Sequence, residues 1–240
     1  MGKIKGYKAE HPYWGYRRIW ASLRYKDGLM VNTKRIYRLM KKHDLLVKSN
    51  IKLKATRSIT TTKPRATEVN QWWGIDMTKI SINGFGWVYV VIVLDWYSKK
   101  VVGFHAGLQA KTKDWLQALD FALNRQFPDG IRNNSLNLMS DNGCQPTSLS
   151  FIKVCSHLGI KQAFTSYNNP KGNADTERFM RTMKEELVWI NEFKSPSHFI
   201  TAFEDWVNRY NNDYLHSSLG YKTPIQFECE NIGQTTLEAA

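Results

Sequence analysis

The chain has 240 residues, of which 42% are hydrophobic and 13% aromatic, and this composition excludes an intrinsically disordered protein. No stretch approaches the roughly eighteen uncharged apolar residues of a membrane-spanning helix, so a soluble protein is expected. The three cysteines, Cys144, Cys155 and Cys229, are widely spaced and form no CxxC pair, which excludes a disulfide framework and a zinc cluster.

The net charge of +13 is confined to the first part of the chain. Residues 1–68 contain eighteen Lys and Arg against four acidic residues, whereas residues 69–240 contain sixteen against seventeen. This asymmetry indicates a basic module that binds a polyanion, with nucleic acid as the first candidate, joined to a near-neutral domain with another task.

Two short helices around a tight turn are predicted within residues 13–43. Apolar residues recur at helical spacing in each, Asp27 and Gly28 break the pattern between them, and Asn32 can cap the second helix. The pattern predicts a helix-turn-helix segment over residues 1–47 that binds DNA, and a solvated basic face on a small bundle is the alternative. The candidate DNA contacts are Arg17, Arg18, Lys34, Arg35 and Arg38.

The rest of the chain divides into three predicted segments. Helical periodicity fades after the helix-turn-helix segment, and residues 48–68 predict a basic linker that can follow a nucleic-acid backbone. Residues 69–228 predict a second domain, and residues 229–240 a C-terminal tail.

The second domain begins with β structure. Alternating side chains predict a strand from Trp72, and Asn83-Gly84, a signal for a two-residue hairpin, leads to a second strand. That strand is apolar on both faces from Val88 to Leu94, which predicts an interior strand covered on both sides. A third strand and then alternating helices and strands predict an α/β fold with a mixed five-stranded sheet. The later elements are expected near residues 114–125 (helix), 136–139 (strand), 148–158 (helix), 161–165 (strand) and 174–187 (helix).

Two aspartates stand where surface charge is not expected. Asp76 lies inside the first predicted strand, and Asp141 ends the strand at residues 136–139. Asn142 and Gly143 follow, so a strand-to-loop turn would by itself explain the second position. Buried carboxylates are costly unless a cation neutralises them, however, and a pair on core strands favours a divalent metal such as Mg²⁺.

A third carboxylate lies on the helix predicted over residues 174–187. Glu177, Arg181 and Lys184 are four and three residues apart, so they share one helix face. Taken singly, Glu177 is typical of a solvated helix glutamate. Another strand-end carboxylate, Asp95, is interpreted as structural, bonding the turn that follows it.

The three carboxylates Asp76, Asp141 and Glu177, with thirty-five residues between the last two, resemble the acidic triad of the DDE transposases and retroviral integrases. Further stretches resemble the transposases of the bacterial insertion sequence 3 family, in the same order and over nearly the whole chain. They are HPYWGYRRIW and VNTKRIYRLMKKHDL (helix-turn-helix), QWWGIDMTKI (first aspartate), LDWYSKKVVGF (third strand), SDNGCQ (second aspartate), GNADTERFMRTMKEEL (glutamate helix) and YNNDYLHSSLGYKTPIQF (C-terminal signature).

The resemblance implies a ribonuclease-H-like catalytic core at residues 69–228. It implies that Asp76, Asp141 and Glu177 are catalytic and hold two Mg²⁺ ions, with Mn²⁺ as a substitute, while Lys184 contacts DNA phosphate. Attack by water on phosphorus would nick DNA, and attack by a 3′-OH would transfer a strand. The expected function is that of a DNA transposase and integrase.

The resemblance also implies partners. They are the DNA of element ends and target, further copies of this chain on that DNA, and a helix-turn-helix protein from an upstream reading frame, because the chain opens almost directly at its own such segment. A cytoplasmic bacterial protein is expected, associated with the nucleoid when bound. Two alternatives stay open: a purely hydrolytic ribonuclease-H-like nuclease, and a DNA-binding remnant or regulator that uses residues 1–68.

Overall fold

The computed structural model describes residues 1–47, 64–131, 134–165 and 173–238, with side chains described as far as residue 231. The chain divides into two compact units. The first falls within Met1–Thr62 and Leu215–Lys222, and the second within Lys63–Tyr214 and Thr223–Ala240. The sequence pattern had grouped residues 215–222 with the second domain.

The first unit is a helical bundle that contains both predicted helices. Gly28, at the predicted break, has a φ of +67°, where residues with a side chain are disfavoured. Asn32 caps the second predicted helix, because its side chain accepts a hydrogen bond from the Lys34 amide at 2.8 Å. A further helix precedes them, and since Ile4 is its one buried residue, it shows no apolar periodicity. The helices are α1 (Gly2–Glu10), α2 (Tyr16–Ala21), which continues into a π-helical turn (Ser22–Lys26), and α3 (Thr33–Lys42).

A short segment from late in the chain completes this unit. The Tyr221 ring lies 5.3 Å from the Trp20 ring and 5.9 Å from the Tyr25 ring, measured between centroids. An isolated antiparallel bridge closes the segment, and it turns at Gly220, where φ is +65°. The first unit is therefore discontinuous in sequence.

The second unit is built on a five-stranded sheet with the strand order β3-β2-β1-β4-β5. β2 is antiparallel to both β1 and β3, and β4 pairs in parallel with both β1 and β5. This is the mixed sheet that the sequence predicted. The strands are β1 (Trp72–Ile82), β2 (Gly86–Asp95), β3 (Val101–Gly107), β4 (Asn137–Ser140) and β5 (Lys161–Phe164).

Helices cover both faces of this sheet. One apolar core joins even-numbered residues of β1 and β2 to two later helices, α6 and α7, and the opposite core joins odd-numbered residues to α4 and α5. The interior strand β2 is buried from both sides, as its apolar sequence predicted. The helices are α4 (Thr112–Gln126), α5 (Leu149–His157), α6 (Ala174–Met183), α7 (Pro196–Asp213) and α8 (Pro224–Glu238).

Two local predictions differ from the structure. The β1–β2 connection has three residues rather than two, since β2 begins at Gly86, and Gly84 and Gly86 both have positive φ. The glutamate helix, predicted to reach residue 187, is α-helical only to Met183 and continues as a π-helical turn, Lys184–Val188. A π-turn adds one residue to a helical turn and leaves no clear sequence signature.

Some predicted segments lie outside the described residues. These are residues 48–63, which make up most of the predicted linker. The predicted tail at residues 229–240 begins inside α8, whose backbone is helical to Glu238. Within the described part of the chain, none of the helices combines the length and the apolar character that crossing a bilayer requires.

Asp95 is a buried carboxylate at the end of β2. It accepts hydrogen bonds from the Ser98 amide at 2.8 Å, the Ser98 hydroxyl at 2.6 Å and the Asn70 amide at 3.1 Å. These bonds hold the β2–β3 turn, so the structural interpretation of Asp95 is confirmed. Burial raises the pKa of Asp95 to about 6, in spite of the bonds that it accepts.

We expect the stability of the wild type relative to an Asp95→Asn variant to depend on pH. The folded state binds a proton to Asp95 more tightly than the unfolded state, whose pKa is about 3.9. The wild type therefore loses stability relative to the variant as the pH rises from about 4 to about 6, by up to about 3 kcal/mol, and no further above that. Urea unfolding of both proteins across this range measures the difference; a difference that does not vary with pH contradicts the expectation.

Candidate active site

Asp76 of β1 and Asp141, the first residue after β4, lie level with each other beside the paired parallel strands. Gly74 of β1 pairs with Met139 of β4; Asp76 lies two residues after Gly74, and Asp141 lies two residues after Met139. Paired strands are about 4.8 Å apart, and side chains two residues apart share a face. The register therefore brings the two carboxylates to one place on the sheet.

The face from which Asp76 projects is the one that α6 covers. Asp76 shares its face of β1 with Ile80, which packs in the same core as Met180 of α6. Glu177 stands one turn before Met180 along that helix, within its first turn. The three carboxylates thus come from β1, from the end of β4 and from α6.

Electrostatic interaction connects these residues. The pKa of Asp76 is raised to about 6, mainly by burial and in addition by the negative charges of Asp141 and Glu177. The amide of Met77, which donates to Asp76 Oδ1 at 2.8 Å, and the charge of Lys184 act in the opposite direction. The structure therefore brings together four residues that the sequence singled out, from positions more than a hundred residues apart in the chain.

Exposure differs within the triad. Asp76 is half-buried, whereas Asp141 and Glu177 are exposed. The expectation that both aspartates are buried is wrong for Asp141, because β4 ends at Ser140 and Asp141 is the first residue of the loop. An exposed carboxylate beside a half-buried one leaves the site open to a large substrate.

The turn after Asp141 fixes this carboxylate. The Gly143 amide donates to Asp141 Oδ1 at 3.1 Å, and the Asn142 side chain donates to the Thr165 carbonyl at 2.7 Å. Asn142 and Gly143 do form the turn that the sequence predicted. Gly143 does not, however, have a positive φ; a Cβ there would lie 3.0 Å from Asp141 Oδ1, so its role is to permit close approach.

Sequence reasoning missed the residues that seat α6 against β1. At Gly74 a Cβ would lie 2.1 Å from Thr176 Oγ1, 2.4 Å from Trp96 Nε1 and 2.7 Å from Asn173 Oδ1. The Trp96 indole donates to the Thr176 hydroxyl at 3.3 Å. A glycine inside an otherwise β-forming run was the available signal, since it often marks close approach of another segment.

Two polar contacts flank this close approach. The Asn173 side-chain amide donates to the Ile75 carbonyl at 3.4 Å, and Lys99 of the β2–β3 turn forms an ion pair with Asp175 at 3.3 Å. The start of α6 is thus tied both to β1 and to the turn at the end of β2. Glu177 follows directly after these anchored residues.

The donor chemistry of this site suits a divalent metal. Carboxylate oxygens are the ligands that Mg²⁺ prefers. The charges of Asp141 and Glu177 both act on Asp76, so a cation bound there would relieve their repulsion. In the conformation described here, and among the described residues, no three Asp, Glu, His or Cys side chains are arranged to hold one ion together.

The predicted DNA-contacting residues lie in the first unit. Lys34, Arg35 and Arg38 are exposed on α3, and Arg17 is exposed on α2. Arg18 is half-buried. Its guanidinium carbon lies 5.5 Å from the centre of the Trp14 ring. Tyr37, which sequence reasoning did not select, is exposed among these cations on α3.

Three family descriptions match the chain. An HTH-like domain matches residues 1–52. Two families, each described as an integrase core domain, match residues 66–170 and residues 158–224. Together the matches extend over both compact units.

Two curated relatives from Escherichia coli are similar over most of their length. Transposase InsK for insertion sequence element IS150 (strain K12) is 28% identical over 225 residues, which are 89% of this chain and 77% of that protein. Transposase InsD for insertion element IS2A/D/F/H/I/K is 25% identical over 227 residues, which are 91% of this chain and 74% of that protein.

Solved structures share the fold. A simian T-cell lymphotropic virus intasome in complex with PP2A regulatory subunit B56 gamma matches with a TM-score of 0.56 and 16% identity, over 94% of this chain and 74% of that chain. The HTLV-2 integrase catalytic core domain in complex with magnesium matches with a TM-score of 0.51 and 16% identity, over 68% of this chain and 99% of that chain. At this level of identity the likeness concerns the fold.

Proposed function

We propose that Asp76, Asp141 and Glu177 are the catalytic residues of this chain, which belongs to the insertion sequence 3 family of DDE transposases. Their task would be to cut DNA and to join 3′ ends to a target. The observation that carries the proposal is the convergence of these three carboxylates, which follows from the β1–β4 register and from the packing of α6 on the face of β1 that carries Asp76. Transposition is the activity of the family.

The same three carboxylates would hold the divalent metal, with two Mg²⁺ ions as the proposed complement and Mn²⁺ as a substitute. Bound metal lowers the pKa of an attacking hydroxyl and offsets the charge that develops on the leaving 3′ oxygen. Asp76, half-buried on β1, fixes one side of the site, and the Gly143 amide orients Asp141 on the other. Glu177 and Asp141 are exposed, which lets a DNA backbone reach them.

Lys184 is the proposed phosphate contact beside the triad. Its charge acts on Asp76, and it begins the π-helical turn that follows α6. Arg181, on the same predicted face, instead pairs with Glu185 at 2.7 Å. Lys184 is thus the better placed of the two cations to bind a phosphate near the carboxylates.

Incubation of the purified chain with element-end DNA and Mg²⁺ tests the function. The expected products are a nick at the 3′ end of the element and a strand joined to target DNA. Nicks without any joined strand would identify the purely hydrolytic alternative. DNA binding without nicking, under conditions in which Mg²⁺ and Mn²⁺ have both been tried, would instead support the remnant or regulator.

The first unit is the proposed site of DNA binding, through Arg17, Arg18, Lys34, Arg35 and Arg38. Deleting residues 1–68 would be a poor test, because residues 215–222 pack in the same unit and would lose their partners. Substitution at exposed positions avoids this problem.

We expect an Arg35→Gln/Arg38→Gln double variant to bind DNA more weakly. Each lost phosphate contact should reduce the slope of log affinity against log salt by about 0.9, because fewer counterions are released on binding. Affinities measured over a series of salt concentrations give this slope. Lys153→Gln/Lys161→Gln, which removes the same charge from exposed positions of the second unit, is the matched control. Equal slopes for the two double variants would contradict the assignment.

A further inference from the structure

The position of Glu177 depends on how the start of α6 is held. Glu177 itself is exposed, and no described hydrogen bond restrains its carboxylate. Thr176, the preceding residue, is fully buried and lies over Gly74 of β1. The backbone at Thr176 is therefore the nearest firmly packed point from which Glu177 projects.

Trp96 provides the fixed partner for Thr176. Its indole stacks on Trp72 with ring centroids 5.7 Å apart and planes 8° from parallel, and its Nε1 donates to Thr176 Oγ1 at 3.3 Å. Trp72 begins β1, four residues before Asp76. Trp96 thus connects β1, which carries Asp76, to the first turn of α6, which carries Glu177.

The turn that contains Trp96 is itself held on several sides. Asp95 bonds Ser98, as described above, and the Tyr210 hydroxyl of α7 donates to the Lys99 carbonyl at 3.1 Å. Lys99 in turn pairs with Asp175 at 3.3 Å, one residue before Thr176. The β2–β3 turn, residues 96–100, therefore holds the first turn of α6 in place.

We propose that Trp96 and Thr176 are positioning residues for the transposition reaction: by holding the first turn of α6 to the β2–β3 turn, they set the place of Glu177 relative to Asp76. The inference rests on the proposed catalytic role of Glu177. Neither residue is expected to touch substrate, since both are buried. Their effect is on geometry, and misplacing a catalytic group by about 1 Å can cost on the order of 10² in rate.

Thr176→Val tests the proposal, since it keeps the shape of the side chain and removes the hydroxyl that accepts from Trp96. We expect the single-turnover nicking rate, per folded molecule, to fall by on the order of ten-fold to 10²-fold. The Mg²⁺ concentration for half-maximal rate should rise, and the dissociation constant for DNA in EDTA should not change. Thr176→Ser retains a hydroxyl and should recover most of the rate.

Thr182→Val is the matched control on the same helix. The Thr182 hydroxyl donates to the Arg178 carbonyl at 3.1 Å, a bond within the helix. We expect wild-type rate and Mg²⁺ dependence from this variant. The inference is overturned if Thr176→Val loses activity only in proportion to its unfolded fraction. It is also overturned if Thr176→Val loses no more activity than Thr182→Val does.

Mn²⁺ binding gives a second readout that needs no cleavage. Titration of the DNA-free protein, followed by electron paramagnetic resonance, should show weaker Mn²⁺ binding for Thr176→Val than for the wild type and Thr182→Val. If the wild type binds Mn²⁺ but does not nick DNA, the proposed function fails. The inference is then judged separately, and it is overturned if Thr176→Val and the wild type bind Mn²⁺ with equal affinity. A wild type that neither nicks nor binds Mn²⁺ overturns both.

Discussion

The Asp141→Asn variant is expected to bind element-end DNA as the wild type does, and to neither nick nor join it. Asn has the shape of Asp and keeps an oxygen that can accept from the Gly143 amide, so the turn after β4 should persist. The substitution removes one negative charge from the proposed metal site. Since a single preorganised electrostatic contact is worth on the order of 10² to 10³ in rate, the nicking rate should fall by at least this factor.

Single-turnover nicking, strand joining and DNA affinity in EDTA measure these effects together. Asp129→Asn makes the same chemical change at an exposed position in the loop after α4 and should leave all three unchanged. Retention of full nicking activity by Asp141→Asn would remove Asp141 from the proposed triad. Loss of DNA affinity would show instead that the substitution had damaged the fold.

Gly74→Ala is expected to be nearly as damaging to catalysis, although Gly74 carries no functional group. Its backbone lies in β1 without a positive φ, so alanine is conformationally acceptable there. The added Cβ would meet Thr176 Oγ1 at 2.1 Å, so the first turn of α6 must move away from β1. That displacement carries Glu177 with it and should lower the nicking rate per folded molecule by on the order of 10².

Gly103→Ala supplies the matched control for this effect. Gly103 lies in β3 of the same sheet, and a Cβ there would lie 2.5 Å from the Ala118 carbonyl of α4. Overpacking of this kind typically costs about 1–3 kcal/mol of stability, so both variants should unfold at lower urea concentrations. Only Gly74→Ala should lose activity beyond its unfolded fraction, and equal losses in the two variants would contradict a specific role for Gly74.

Much of the second unit could be predicted because its signals are local. The doubly apolar run from Val88 to Leu94 identifies an interior strand, and Asp95 beside a Tyr97-Ser98 turn identifies a capping carboxylate. The antiparallel pairing of the first three strands and the place of Asp141 at the end of the fourth were predicted from patterns of the same kind. These features depend on a few neighbouring residues each.

What could not be predicted depends on contacts between distant residues. Nothing near Gly74 in sequence shows that Thr176, about a hundred residues later, will lie over it. Helix α1 is short of apolar residues and is stabilised by the packing of Ile4 in the core of the first unit. Asp141 is exposed because β4 ends one residue before it, and the π-turn begins at Lys184 because α6 ends at Met183. Apolar periodicity does not locate the ends of strands and helices to within one residue.

The discontinuous first unit has a consequence for the order of synthesis. A ribosome delivers the chain from its N-terminus, so α1, α2 and α3 are available long before residues 215–222. The rings of Trp20 and Tyr25 gain their contact with Tyr221 only after about two hundred further residues have been synthesised. The first unit is therefore completed only after the five strands and α4 to α7 of the second unit have been synthesised, and a chain terminated before residue 215 would carry the basic helices without the segment that completes their packing.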